Sequence, residues 1–258
     1  KIEIRSFDKR FKLIKINFFY QDIEANLDAF FRPNPIKTPL YKTLKINFGN
    51  LNFNKSKALI VGGSRGLGAW VAKLIALGGG EVTITYNLGH NEAKKIRADI
   101  NNHGGNCKIL KMDVTKKGAI DFPNFKINQI FYFASPKIYE NNNKKFNNNM
   151  YEDFYRFYVK GFDKIMKKAL IKNVESVFYP STIFIDQSDQ SFREYIRAKL
   201  EGESFCKSIN NTHSIVIFPP RLPKMLTDQT SSIVGTEYAN IYDTILPFLI
   251  KMHKLCAN

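Results

Sequence analysis

A tyrosine and a lysine four residues apart, Tyr195 and Lys199, form the pair in this sequence best suited to moving a proton. They lie in a helix-patterned stretch, where positions i and i+4 share a face with Cβ atoms roughly 5–6 Å apart. A phenol keeps its proton up to a pH of about 10, too high for exchange near neutrality. An ammonium about 4 Å away, at an effective dielectric near 20, favours the phenolate by up to about 4 kcal/mol, around 3 pKa units. Tyr195 then serves as a general acid. Thr182 stands thirteen residues before Tyr195 and Ser181 fourteen before, at the end of the strand-like SVFYP. Either hydroxyl can hold a substrate oxygen there, and either can equally be a cap.

A second constellation binds. Gly62-Gly63-Ser64-Arg65-Gly66-Leu67-Gly68 follows the apolar run KALIV and opens a helical stretch. Gly62 allows a tight turn, Gly66 lets the backbone approach a pyrophosphate, and Gly68 lets helix and strand pack closely. The first N–H groups of the helix add partial positive charge. After the next strand an NAD site ordinarily places a carboxylate on the ribose, but this chain reads Tyr86-Asn87-Leu88-Gly89. With Arg65 in the loop and that acid missing, the residues favour NADP(H) and its 2′-phosphate. Asp113-Val114 follows the third strand, where the carboxylate can bond an adenine amino group or cap a helix.

Such groups need a sheet and crossover helices to hold them. KALIVG, EVTITY, CKILKMDV, INQIFYFAS, ESVFYPST and HSIVIFPP read as buried strands. LGAWVAKLIALGG, HNEAKKIRADINNHGG and the stretches 151–169, 191–209 and about 237–255 read as helices. The alternation predicts an α/β fold over 56–258, a Rossmann-type doubly wound parallel sheet with helices on both faces. Residues 1–55 differ: KIEIRSF, FKLIKINFFY, IEANLDAFF and KTLKINFGNL are alternating or aromatic-rich runs around the break RPNP. They predict a short β-rich N-terminal segment, too small for its own core and expected to be the tail of an upstream domain. The polar run over 140–149 is expected to be a flexible loop.

Composition removes several classes. With 44% apolar and 24% charged residues in 258, the chain is neither disordered nor fibrous. A net charge of +16 attracts anions, but the lysines are spread along the chain and often paired with Asn, a bias unlike a nucleic-acid surface. No run approaches the roughly 20 apolar residues of a membrane span, so neither nucleic acid nor membrane is expected as a partner. Cys107, Cys206 and Cys256 are odd in number and far apart, which fits a reducing cytoplasm. His90, His103, His213 and His253 share no ligand spacing, so no metal is expected. Trp70 and the aromatics over 151–162 are expected in the core or at a subunit contact.

Residues 56–258 resemble the short-chain dehydrogenase/reductase family through the glycine loop 62–68, Asp113-Val114, the Ser181/Thr182 pair, Tyr195, Lys199 and Pro219-Pro220. ITYNLG, FYFASP, VFYPST and RLPKMLTDQT are similar to a divergent bacterial branch of ketoacyl reductase domains. There a reductase can follow a hot-dog-type dehydratase, which would account for residues 1–55. The resemblance implies that Tyr195 donates a proton to a carbonyl oxygen, Lys199 binds the nicotinamide ribose, and Thr182 or Ser181 orients the carbonyl. It implies cofactor contacts from Ala134, Ser135, Pro219 and Arg221, and a homo-oligomer joined through helices that carry Tyr155, Phe157 and Phe162. Three positions depart from the family pattern: Phe133-Ala134-Ser135 replaces Asn-Ala-Gly, Tyr158 replaces the relay asparagine, and Pro220-Arg221 follows the proline. The expected activity is NADP(H)-dependent reduction of a carbonyl, a 3-oxoacyl group on an acyl carrier protein or CoA. The alternatives are a dinucleotide-binding module without turnover and a sugar-nucleotide-modifying relative.

Overall fold

The computed structural model describes residues 1–8, 13–30, 36–118, 120–138, 145–187, 190–227, 230 and 237–255. The chain opens with an antiparallel meander of β1 (Ile2–Asp8), β2 (Leu13–Tyr20) and β3 (Ile23–Phe30), in the order β1-β2-β3. Helix α1 (Tyr41–Phe48) follows. KTLKINFGNL therefore folds as a helix and not as the strand its alternation suggested. Tyr41 and Leu44 are three apart and buried, and Phe48, one turn on, stacks 4.3 Å from the Tyr242 ring. Ile46, which completed the alternating pattern, points outward and is 85% exposed.

The remaining elements are β4 (Lys57–Val61), α2 (Gly66–Leu77), β5 (Glu81–Tyr86), α3 (His90–Asn101), β6 (Asn106–Lys111) and β7 (Gln129–Tyr132). Then α4 (Asn148–Tyr155) runs through a π-helical turn at 156–161 into α5 (Phe162–Ile171). They are followed by β8 (Ser176–Phe178), β9 (Ser181–Thr182), α6 (Arg193–Thr212), β10 (Val216–Phe218), β11 (Arg221–Leu222) and α7 (Ile241–Leu255). Six strands form one parallel sheet in the order β10-β8-β7-β4-β5-β6, while β9 and β11 pair in a small parallel extension. Each of the six expected apolar runs supplies one strand of the large sheet.

The alternation along β4 builds the core on both faces. Leu59 and Val61 join Ile130, Phe154, Phe162, Ile165 and Ala198 on one side, whereas Ala58 and Ile60 join Val71, Leu74, Ile84, Ile100 and Ile245 on the other. Phe162 is fully buried, with its ring 5.0 Å from Tyr132 and 4.6 Å from Tyr179. It is a core residue and not a subunit contact, because its apolar bulk faces the sheet. The chain leaves β4 toward β5 and β6 on one side, then returns to β7, β8 and β10 on the other. This reversal opens a crevice beyond the carboxyl ends of β4 and β7, the place where open α/β sheets bind ligands.

Candidate active site

The glycine loop is fixed from below and open in one spot. Gly62 donates to Thr85 Oγ1 at 3.1 Å and Gly63 to the Thr85 carbonyl at 3.0 Å. Gly62 has a φ of +82°, and a Cβ there would stand 2.8 Å from the Ala134 nitrogen, so the loop is pressed onto the chain leaving β7. Gly66 also has a positive φ, +55°, but the nearest atom to a Cβ on it is Thr227 Cβ at 3.9 Å. Among the described residues nothing else comes within 4 Å of that point. Arg65 is exposed, occupies the N-cap position of α2 in extended conformation, and leaves the first turn without a side-chain cap. Leu67 packs on the core and Gly68 lies against Gly62.

Beside the loop, Ser64 Oγ and Glu92 Oε2 lie 3.0 and 3.4 Å from where a Cβ on Gly89 would be. Glu92, in the first turn of α3, is a carboxylate that the motif at 86–89 does not reveal. Tyr86 is half-buried with its ring 4.9 Å from His90. Asp113 Oδ1 accepts from the Thr115 N–H at 2.8 Å and its hydroxyl at 2.7 Å. Burial pushes the Asp113 carboxyl up, but hydrogen bonds from Thr115, Asn87 and Lys116 outweigh it and hold the group below its ordinary value. Asn87 and Asp113 thus tie the ends of β5 and β6 together, and Val114 enters the core.

From the loop a line of contacts runs to the proton-moving pair. Ala134 is followed by Ser135, whose hydroxyl donates to the Pro136 carbonyl at 2.8 Å. Tyr158 then donates its own proton to Ser135 Oγ at 2.6 Å. The Tyr158 ring meets Tyr195 edge-on at 5.6 Å and carries Lys199 Nζ over its face at 3.8 Å. Tyr179 and Tyr195 complete an aromatic surround at 5.1 and 5.8 Å from Nζ. One ammonium proton goes to the Pro180 carbonyl at 2.6 Å.

Tyr195 is 7% exposed, and its phenol is hydrogen-bonded to the Thr182 side chain. Burial pushes its pKa up to about 12, and the Thr182 contact only moderates the rise. The expectation that Lys199 would lower this pKa is not met in this arrangement. The ammonium is turned toward Pro180 and the Tyr158 face, and burial brings Lys199 itself down to about 7. Of the two candidate hydroxyls, Thr182 reaches Tyr195, whereas Ser181 donates to Glu203 Oε1 at 2.5 Å. Arg221 pairs with Glu203 through Nε at 2.9 Å and Nη2 at 2.8 Å and with Asp186 through Nη1. Its guanidinium is engaged by these two carboxylates. Burial works against the Glu203 charge, yet Arg221 and Ser181 hold that carboxyl below its usual range. Pro219 is half-buried after β10, and Pro220 accepts the Ser181 N–H at 2.8 Å.

Tyr158, Tyr179 and Glu203 are site residues that motif reasoning did not assign a function. Tyr158 shows in the sequence only as the replacement for the relay asparagine and Glu203 only by its i+4 spacing from Lys199, while Tyr179 leaves no signal. Among the described residues no group of three or more His, Cys, Asp or Glu could hold a metal, and no helix is long and apolar enough to cross a membrane.

Residues 56–124 match the family model described as short chain dehydrogenase. The match spans the glycine loop and the strands β4, β5 and β6, and over that stretch the chain is similar to the family. Among solved structures, the chain is similar to a short chain dehydrogenase from Burkholderia cenocepacia in complex with NADP. The TM-score is 0.65 at 14% identity, over 78% of this chain and 91% of that one. It is also similar to a 3-oxoacyl (acyl-carrier-protein) reductase from Agrobacterium tumefaciens with NADP bound, at 0.59 and 16% over 70% and 74% of the two chains. An alternative dihydrofolate reductase from Brucella suis in complex with NADP follows at 0.54 and 18%, over 69% and 73%. At these identities the likeness is one of fold. No curated protein matches the sequence.

Proposed function

We propose that the chain is a short-chain dehydrogenase/reductase that reduces a carbonyl with NADP(H), acting on a 3-oxoacyl thioester carried by an acyl carrier protein or CoA. The observation that carries the reading is the buried Tyr195 phenol, bonded to Thr182 and joined through Tyr158 and Ser135 to the chain against the glycine loop. The fit to a dinucleotide rests on the space that the described residues leave over Gly66, beside an uncapped helix start. The bound nicotinamide supplies the hydride. Gly66 and the first turn of α2 hold the pyrophosphate, and Arg65 answers the 2′-phosphate. Lys199 keeps two donor protons after bonding Pro180 and offers them to the ribose. Thr182 and Tyr195 hold the carbonyl oxygen. Tyr195, with a pKa of about 12, retains its proton at neutrality and gives it to the more basic alkoxide as that charge develops.

The 3-oxoacyl class is favoured by the similarity to a reductase of that name and by the net charge of +16, which suits an acidic carrier. Buried free thiols at Cys107 and Cys206 fit a reducing cytoplasm; Cys256 lies outside the described residues.

NADPH oxidation with a panel of 3-oxoacyl thioesters, ketones and aldehydes tests the reading. Tyr195→Phe is expected to lower kcat/KM by about 10²–10⁴-fold while NADPH still binds. Wild type and Tyr195→Phe equally inactive across the panel would overturn it. Two observations motivate a second reading. Phe133 and Tyr158 replace the relay residues, so tight NADPH binding without hydride exchange would make the chain a binding module. Glu92 beside Ser64 suits a ribose hydroxyl better than a phosphate, and calorimetric titration of NADPH against NADH decides between the two cofactors.

A further inference from the structure

Residues that pair directly across an antiparallel sheet share a face, so the register of the N-terminal meander shows what each face carries. Ile4, Ile16 and Leu27 form one row, and Ile2, Phe18 and Ala25 the next. The opposite face carries Glu3, Asn17 and Asn26 in one row and Ser6, Lys15 and Asp28 in another. A bulge between Ile4 and Ser6 decides where Phe7 goes. By simple alternation Phe7 would face opposite to Ile2 and Ile4. The extra residue, Arg5, shifts the phase and sets Phe7 against Ile14 on the apolar side. The strand is thus kinked so that its paired rows on this side are apolar.

That face is open to solvent: Ile2, Ile4, Phe7, Tyr20, Ile23 and Leu27 are between 46% and 70% exposed. A three-stranded sheet depends on covering such a face for stability, and an exposed apolar patch of this extent marks a contact surface. We propose that the face docks on the same face of a second copy of this chain, giving a six-stranded sandwich. The area suits that occupant, since six large side chains at this exposure offer on the order of 800 Å², the share of one partner in a standard-size interface. Charge also suits it. A chain with a net charge of +16 repels its own copy at charged surfaces, but across these rows a twofold partner brings no like charges together. Two such faces stack at about 10 Å with strands nearly aligned.

Sedimentation velocity on the full chain over a concentration series tests the proposal. The double variant Ile4→Lys/Leu27→Lys alters one exposed row, and Glu3→Lys is its control on the polar face. Wild type is expected to lose half its assembled mass in the double variant, with self-association weakened about 100-fold or more, while Glu3→Lys behaves as wild type. Circular dichroism and NADPH binding monitor folding in each. Should the double variant fail to fold, Tyr20→Lys at the hairpin end carries the same expectation, its side chain being 70% exposed. A monomeric wild type, or a face variant that assembles as wild type does, overturns the proposal.

Discussion

Burial acts on Tyr195 and Lys199 in opposite electrical directions: it keeps the proton on the phenol and drives the proton off the amine. The unfolded chain holds the Lys199 proton up to about 10.5, whereas the folded chain releases it at about 7. Between those values the unfolded state binds more protons, so stability rises with pH; below about 7 both states are charged and the full cost of burial remains. Urea unfolding of wild type and Lys199→Met isolates this group, since every other titration is shared. Wild type should gain on the variant by on the order of 2–4 kcal/mol between pH 7 and 10.5. A difference that stays flat over that range would show an ammonium in contact with water. The two hydroxyls separate by kinetics. Thr182→Ala removes the group bonded to Tyr195 and should lower kcat/KM about 100-fold. Ser181→Ala removes a donor to Glu203 and should cost about 1–2 kcal/mol of stability with kcat nearly kept. Equal kinetic losses in both variants would contradict these roles.

At the scale of elements, the site rests on a helix that departs from α geometry where it passes the sheet. The Phe157 carbonyl accepts from Tyr132 at 2.6 Å and the Tyr158 carbonyl from Tyr179 at 3.0 Å. Two phenols thereby draw carbonyls out of the ordinary ladder at the π-helical turn, which carries Tyr158 toward Lys199. Tyr179 in turn needs Gly202 on α6, because a Cβ there would collide with its hydroxyl. Gly202→Ala should cost about 1–3 kcal/mol and, by displacing Tyr179, lower activity beyond what stability explains. Thermal unfolding and NADPH oxidation on one preparation check both effects, and an unaffected variant would show that the ring has room to move. The large sheet, its crossover helices and the glycine loop were legible in the sequence because apolar runs and helical periods are local signals. Tyr195, Lys199 and Thr182 were legible from spacing to one strand end. The Lys199 surround was not, because Tyr158, Tyr179 and Pro180 come from three elements that meet only after folding. Helix α1 was misread for a related reason: Lys-Ile-Asn-Phe alternates locally, and only packing on α2 and α3 shows that Tyr41, Leu44 and Phe48 make the buried side.

For the whole molecule, contacts cross the line between the N-terminal segment and the sheet domain well before residue 56. Lys73 on α2 is 2% exposed, with Nζ 2.7 Å from Asp99, 3.1 Å from Thr38 Oγ1 and 2.6 Å from the Pro39 carbonyl. Asp99 also accepts the Tyr41 N–H at 3.0 Å, so residues 38–41 close over a buried ion pair joining α2 and α3. Tyr41, Leu44 and Phe53 are buried in the same core. We therefore expect the folding unit of the sheet domain to begin near residue 36. A chain starting at Ile36 should unfold within a few degrees of the full chain. One starting at Ser56 leaves the Lys73 ammonium without two of its three partners and removes Tyr41, Leu44 and Phe53 from the core they fill. It should lose roughly 1–3 kcal/mol for each hydrogen bond withdrawn from the buried ammonium and about 1.5–3 kcal/mol for each apolar group. Together these approach the entire stability of a domain. Calorimetric melting of the three chains decides the matter, and equal stability of the chains starting at Ile36 and Ser56 would return the boundary to residue 56.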